Sequence, residues 1–449
     1  MMEMSPEYIT VLMFIPLVVV IMLGYPLAIG LGGIGMAVSY LFYGPEQTFA
    51  VFYNRIWGVM TDYTFLAVPL FVFMGLMLEK SGISEKLFGA IYLWMGPVPG
   101  GLAIATVLIG TILAAAVGIV GASVVMLGLI AYPAMHARGY KKELACGAIC
   151  AGGTLGILIP PSVMLVVYGP VADIGVGQLF MAAFFPGFVL SGLYMAYILI
   201  VCLIHREWGP PLPPEERNLA FSKKLTILVT TLLPTLSIIF AVLGTIFLGI
   251  AAPTEAASMG CIASVLLAAA YKRLDPNVLK ETFYSTIKVT SMVMIIAMCA
   301  GMFTSTFLGL GCGKVVEDAV LGLPFGRWGS FLIIHLIVFI LGMFIDWIGI
   351  IFIMIPLVTP IGEALGFNKL WFAMMIVVNL QMSFMSPPFA YSIFYLRGIS
   401  KPEWGIETNH IIRGVIPFIF LIMVGLTLCI VFPDIILGLP KLLGMKGIK

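Results

Sequence analysis

The chain has 449 residues, of which 61% are apolar and only 10% charged, with a mean hydropathy of +1.13. A soluble domain carries roughly 25% charged residues, so this composition excludes one and calls for a chain embedded in the lipid bilayer. The net charge of +2 argues against nucleic acid as a partner.

Apolar stretches of about 20 residues, enough for one crossing, recur along the chain, as in residues 9–30, 177–204, 225–250 and 415–432. Residues 1–5 hold no basic stretch, so the first apolar run reads as a retained helix rather than a cleaved signal. Asp62 and Glu79 bracket an apolar helix and are expected at its ends. Residues 100–132 are too many for one crossing and are interrupted by Gly118 and Gly121. Cys146 and Cys150 share a helical face, but without further soft ligands they read as small packing residues. Residues 152–162 then run through Pro160-Pro161. A polar linker follows, from His205 through Glu215, Glu216 and Arg217 to Lys224. Residues 275–288 have the pattern of an amphipathic helix at the membrane face. Residues 328–359 are broken at Asp346-Trp347-Ile348-Gly349, with His335 expected to be a packed neutral side chain. Residues 379–389 run through Pro387-Pro388, and Arg397 follows.

The two halves match at a single offset of 227 residues. Pro97 falls on Pro324, Pro133 on Pro360, Gly139 on Gly366, Lys142 on Lys369, Pro160-Pro161 on Pro387-Pro388 and Tyr168 on Tyr395. The residues in register are those that fix backbone geometry. The chain therefore divides into a first repeat (1–204), a linker (205–224) and a second repeat (225–449). Three basic clusters, in the linker, at Arg138 with Lys141 and Lys142, and at Lys272-Arg273, belong on the cytoplasmic side by the positive-inside rule. Counting segments outward from the linker puts Glu3 and Glu7 outside and gives the repeats opposite topology. Lys441, Lys446 and Lys449 then fall outside against the rule. The counting is consistent only if residues 100–132 and 328–359 are re-entrant hairpins. The expected fold is all-α and integral to the membrane, with inverted-topology repeats, about ten transmembrane helices and two re-entrant hairpins.

After each hairpin comes a helix that cannot continue through Pro-Pro, since each ring removes an amide donor and clashes with a carbonyl one turn earlier. A simple kink would account for one such break. Two at equivalent positions, each beside a hairpin tip, point to an ion or substrate site, because freed carbonyls in a membrane need protein, water or an ion. Sodium suits this chemistry, being a hard cation that takes oxygen ligands. The first site would draw on Gly118, Gly121 and Ser123 of one tip and on Gly156, Pro160 and Ser162 of one break. The second would draw on Asp346 and Gly349 with Met382, Ser383, Ser386 and Pro387. Asp346 costs about 2.5–3.5 kcal/mol at mid-membrane; its partner is a cation, unless the tip reaches water or a distant Arg pairs with it. Helix amino termini between the sites favour an anionic substrate, with Thr154, Tyr168, Tyr395 and Arg397 as candidate cavity residues. Arg397, lying where the chain should leave the membrane, reads more readily as a cytoplasmic anchor than as a substrate ligand.

These residues resemble the large membrane subunit of the tripartite ATP-independent periplasmic (TRAP) transporters over essentially the whole length. The resemblance is carried by Pro69-Leu70-Phe71 with Gly75, Ser81-Gly82, Pro99-Gly100-Gly101, residues 133–140 and 152–162, Pro253-Thr254-Glu255-Ala256-Ala257 and Pro387-Pro388. It implies a sodium-driven secondary transporter of organic acids (carboxylates) with an elevator-type fold, in a bacterial or archaeal cytoplasmic (inner) membrane. It also implies two partners, a small membrane subunit and a periplasmic substrate-binding protein. The chain opens at its first large-subunit helix, so the small subunit is expected as a separate chain. The first tip departs from the serine-rich family pattern, which leaves Ser123 as its side-chain hydroxyl and shifts ligation toward the main chain. The alternatives are a self-sufficient sodium:carboxylate symporter of the same fold and an integral-membrane enzyme. Four scattered histidines supply no H-E-x-x-H helix or similar constellation for the latter. No cofactor is implied beyond sodium as the coupling ion.

Overall fold

The computed structural model describes residues 4–213 and 220–444. Glu3, Glu215, Glu216, Arg217, Lys446 and Lys449, used above for orientation, lie outside the described residues. The first half comprises α1 (Pro6–Met22), α2 (Leu27–Thr61), α3 (Ala67–Lys80), α4 (Ile83–Met95), α5 (Gly101–Val117), α6 (Val120–Ala137), α7 (Lys142–Thr154), α8 (Val163–Ala172) and α9 (Val176–Ile204). The second comprises α10 (Phe221–Phe247), α11 (Pro253–Ala270), α12 (Pro276–Gly309), α13 (Cys312–Leu321), α14 (Gly326–Gly342), α15 (Trp347–Ala364), α16 (Lys369–Ser383), α17 (Tyr391–Ile399), α18 (Thr408–Val431) and α19 (Asp434–Leu442). Among the described residues there is no β-strand, and nine helical segments are long and apolar enough to cross a membrane. The chain is a multi-pass, all-helical membrane protein.

The offset of 227 carries one half onto the other element by element. It takes α5 to α14, α6 to α15, α7 to α16, α8 to α17 and α9 to α18. It also reaches beyond the residues that first reveal it. Pro26, which precedes α2, falls on Pro253, which opens α11. Gly44, where α2 kinks with φ +77°, falls on Tyr271, where α11 ends. Gly139 and Gly366, at φ +71° and +76°, make the same left-handed turn in each half. Two expectations need adjustment. Residues 9–30 are not one span, because the chain turns at Gly24 (φ +79°) and Pro26 between α1 and α2. Residues 275–288 are helical, but they continue without interruption into the apolar part of α12.

Helices α5 and α6 form a hairpin whose two feet rest on one segment of chain. Gly100 N–H donates to the Gly209 carbonyl (2.8 Å) and Leu212 N–H to that of Gly96 (2.8 Å). At the other foot, Lys141 N–H donates to the Trp208 carbonyl (3.0 Å), with its ammonium 3.4 Å from the centre of the Trp208 ring. Both ends of this pair therefore lie on the same side of the protein as the linker. Helices α14 and α15 form the corresponding pair, turning at residues 343–346.

Helix α7 lies at the centre, buried from Leu144 to Thr154. Its composition, Ala-Cys-Gly-Ala-Ile-Cys-Ala-Gly-Gly, explains why: small residues let membrane helices approach backbone to backbone. A methyl group at Gly147 would lie 2.2 Å from the Gly414 carbonyl oxygen of α18, and one at Gly110 of α5 would lie 2.6 Å from that of Gly152. A second body is built on α2 and α12, the two longest helices, which pack against each other with α3 and α11 alongside. Replacing Gly147 by Val should cost about 1–3 kcal/mol through overpacking and lower the thermal unfolding midpoint in detergent. Gly192→Ala, at a helical position with open space around it, should leave the midpoint unchanged.

Candidate ion and substrate site

Both breaks fall at the Pro-Pro positions. Helix α7 gives way to a short 3-10 turn at Leu155–Ile157, and α8 begins at Val163. Helix α16 ends at Ser383 and α17 begins at Tyr391. The peptide bonds Pro160–Pro161 and Pro387–Pro388 are both cis. Among the described residues, the carbonyls of Leu158, Ile159, Pro160 and Pro161 accept no hydrogen bond, and neither do those of Met385, Ser386, Pro387 and Pro388. Eight main-chain oxygens inside a membrane protein are thus left without a protein donor, the condition under which irregular backbone requires another partner.

The hairpin tips lie against these breaks. A methyl group at Gly118, the left-handed residue ending α5, would meet the Pro161 carbonyl oxygen at 2.9 Å and the Val163 nitrogen at 3.3 Å. One at Gly156 would lie 3.5 Å from Ser123 Oγ. The first tip and first break are therefore in contact, and only glycine at position 118 permits the approach. In the second half, Phe389 N–H donates to the Met343 carbonyl (3.3 Å), and the Phe344 and Phe389 rings are 6.0 Å apart. Ser383 Oγ donates to the Phe339 carbonyl of α14 (3.3 Å). Asp346 caps the start of α15 in extended backbone, where its charge faces the positive end of the helix. It forms no ion pair among the described residues.

The two breaks also meet each other. Thr154 Oγ1 lies 3.0 Å from the Ala151 carbonyl and 3.8 Å from Met385 Sδ, and Cys150 Sγ is 3.7 Å from the Ser392 carbonyl. The Tyr395 ring packs on the first tip, where a methyl group at Gly121 would lie 3.0 Å from it. Side chains from both halves thus converge on one region.

The individual candidates differ in what remains free to bind an ion. Ser162 Oγ donates to the Ile157 carbonyl (2.6 Å) and Ser386 Oγ to that of Met382 (2.9 Å), so these hydroxyls repair their own breaks. Ser123 Oγ is fully buried with no hydrogen-bond partner among the described residues. Gly349 is set against Leu27 of α2 rather than against the second break. Tyr168 is completely buried, and its hydroxyl has no hydrogen-bond partner among the described residues. Arg397 is exposed and donates to the Ile406 carbonyl, which ties down the chain after α17. His335 is buried with Nδ1 2.9 Å from the Phe331 carbonyl, as a packed side chain should be. Asp62 caps the turn before α3 by accepting from Thr64 N–H (2.8 Å). Cys146 and Cys150 are buried free thiols, and no group of three metal-ligating side chains occurs among the described residues. The sequence reading missed Met385, at the crossing of the breaks, and a polar cavity around Arg55. A lone arginine between apolar stretches was the available signal for the latter.

Residues 14–435 match the family model described as the DctM component of the tripartite ATP-independent periplasmic transporter. The C4-dicarboxylate TRAP transporter large permease of Pseudomonas aeruginosa is 29% identical over 415 residues, covering 92% of this chain and 94% of the relative. The sialic acid TRAP transporter large permease of Vibrio cholerae is 26% identical over 420 residues, covering 93% and 95%. Among solved structures, the YdaH transporter of Alcanivorax borkumensis superposes with a TM-score of 0.65 at 12% identity, over 96% of this chain and 99% of that one. MtrF of Neisseria gonorrhoeae gives 0.56 at 12%, over 95% and 94%; both likenesses concern the fold alone. These relatives are transport permeases rather than enzymes. The chain is a TRAP large permease, a member of the family of the DctM component of tripartite ATP-independent periplasmic transporters.

Proposed function

We propose that this permease is the sodium-driven subunit that carries a small organic anion across a bacterial or archaeal inner membrane. The anion would be delivered by a periplasmic binding protein, with a small membrane subunit, on a separate chain, as the other partner. The observation that carries this reading is the set of unclaimed carbonyls at two equivalent breaks, each touching a hairpin tip, with the buried Ser123 hydroxyl free among them. Oxygen ligands of this kind suit a hard monovalent cation.

The residues present fit two sodium ions. One would be held by Ser123 Oγ with carbonyls near Gly118 and Pro160. The other would be held by the Asp346 carboxylate with carbonyls near Ser386 and Pro387. Ser162, Ser383 and Ser386 hold the broken backbone in shape rather than reach the ion directly. Between the sites, where Thr154 meets Met385 and Tyr395 covers Gly121, the starts of α6, α8 and α15 offer positive helix ends to an anion. Relatives named for C4-dicarboxylates and for sialic acid make a carboxylate the expected cargo. Ion binding at a tip would favour its closure on the adjacent break, so that the loaded body built on α7 could slide against the α2–α12 body. That is an elevator between inverted repeats.

The driving force is sufficient. Each sodium ion gains about 2.3 kcal/mol per 100 mV on entry and about 1.4 kcal/mol from a tenfold gradient. Two ions with one monoanion would supply about 5 kcal/mol, or accumulation of roughly several thousandfold.

Replacing Na⁺ by choline should abolish substrate uptake in proteoliposomes supplied with the binding protein and small subunit; unchanged uptake would refute sodium coupling. Ser123→Ala and Asp346→Asn should each raise the half-saturating sodium concentration about tenfold or more, the worth of a hydrogen-bonding or charged ligand. Tyr168→Phe should leave it unchanged, because its hydroxyl is not among the proposed ligands. Equal sodium affinities in all three variants would rule out these ligand assignments.

A further inference from the structure

Outside the region of the breaks, the C-terminal half of α2 and the end of α12 face α8 and α15 across a cavity of 1150 Å³. Phe352 and Pro356 of α15 form part of its apolar wall, and Gln47, Asn54 and Arg55 of α2 with Ser305 of α12 bring polar groups to it. The stem of Arg55 crosses Gly301, where a methyl group would sit 4.0 Å from Arg55 Cβ. Arg55 is exposed and, among the described residues, has no ion pair and no hydrogen-bond partner. Asp62 also lines the cavity, where its carboxylate accepts from Thr64 N–H without forming an ion pair among the described residues, so an anion is expected at the Arg55 end rather than at Asp62.

An arginine stays charged under all ordinary conditions and presents a planar fork of donors suited to carboxylate and similar oxyanions. At the wall of a cleft a charge without an ion pair attracts counter-ions. The amides of Gln47 and Asn54 and the hydroxyl of Ser305 supply further donors for an anion drawn to it. The position of the cavity adds direction. From Asp62 at the cavity, the chain runs through α3 to Gly82, which lies against the Arg273 side chain, 3.3 Å from Nε for a methyl group there. Lys272-Arg273 marks the side assigned to the cytoplasm, so Asp62 and the cavity mouth lie toward the other side, where a binding protein would release its cargo.

We propose that this cavity is an external vestibule, and that Arg55 receives the anionic group of the substrate there before it reaches the broken helices. The assignment rests on the transport reading above and adds to it a specificity-determining residue on the α2–α12 body, distinct from the ion ligands.

The test uses a single added thiol, Ser305→Cys, in the full-length purified protein, with modification read by mass spectrometry of the peptide carrying position 305. An anionic methanethiosulfonate should react faster than a cationic one. Adding Arg55→Gln should reduce that ratio tenfold or more, whereas Arg55→Lys should retain it. In proteoliposomes with both partners, Arg55→Gln should raise KM for uptake about tenfold while leaving the half-saturating sodium concentration unchanged. An unchanged reagent ratio, or no modification at 305 by either reagent, overturns the vestibule. Uptake that is independent of sodium in the unmodified protein would defeat the coupling mechanism instead, and the reagent ratio would still decide the role of Arg55.

Discussion

The structure depends on a hydrogen-bonding deficit. A helix in a membrane satisfies its own backbone, and the two Pro-Pro steps prevent this at matching places in both halves. What would be a defect in one helix becomes an organised feature when a hairpin tip is packed against each break. Ser162, Ser386 and Ser392 hydroxyls each recover a carbonyl near the breaks, which holds the interruption in one shape. The oxygens they leave unclaimed are those a cation would require.

The packing around the breaks follows from the same economy of space. Helix α7 is built from small residues so that α5, α6 and α18 can approach it closely, and this brings Gly118 against Pro161 and Thr154 against Met385. The two halves are not equivalent in their surroundings. The first break is buried throughout residues 155–162, whereas Pro388 and Phe389 of the second are exposed. One sequence pattern used twice thus yields one enclosed break and one open to its surroundings.

Charge is used sparingly. Asp346 stands at a helix start beside the second break and Arg55 at a cavity between the two bodies. Lys80 and Glu281, by contrast, pair at the membrane face, and Arg397 is committed to a carbonyl. An arginine ending a broken helix and an arginine in an apolar stretch look alike on paper. Their partners, or the absence of partners among the described residues, distinguish them.

The amino-acid sequence by itself determined the membrane class, the two-fold repetition at one offset, the two interruptions and the hairpin turning at Gly118. All of these are local consequences of apolar length or of the backbone restrictions imposed by proline and glycine. It also supplied the family resemblance, because the residues in register are those same backbone-fixing ones. Which hydroxyls remain free was decided only in three dimensions. Ser162, Ser386 and Ser123 are the same residue type, yet the first two bond to their own broken turns and the third, on a different helix, has no hydrogen-bond partner among the described residues. The displacement of Gly349 toward Leu27, the contact of Met385 with Thr154 and the cavity around Arg55 likewise arise from packing between segments far apart in the chain, where sequence spacing carries no information about distance.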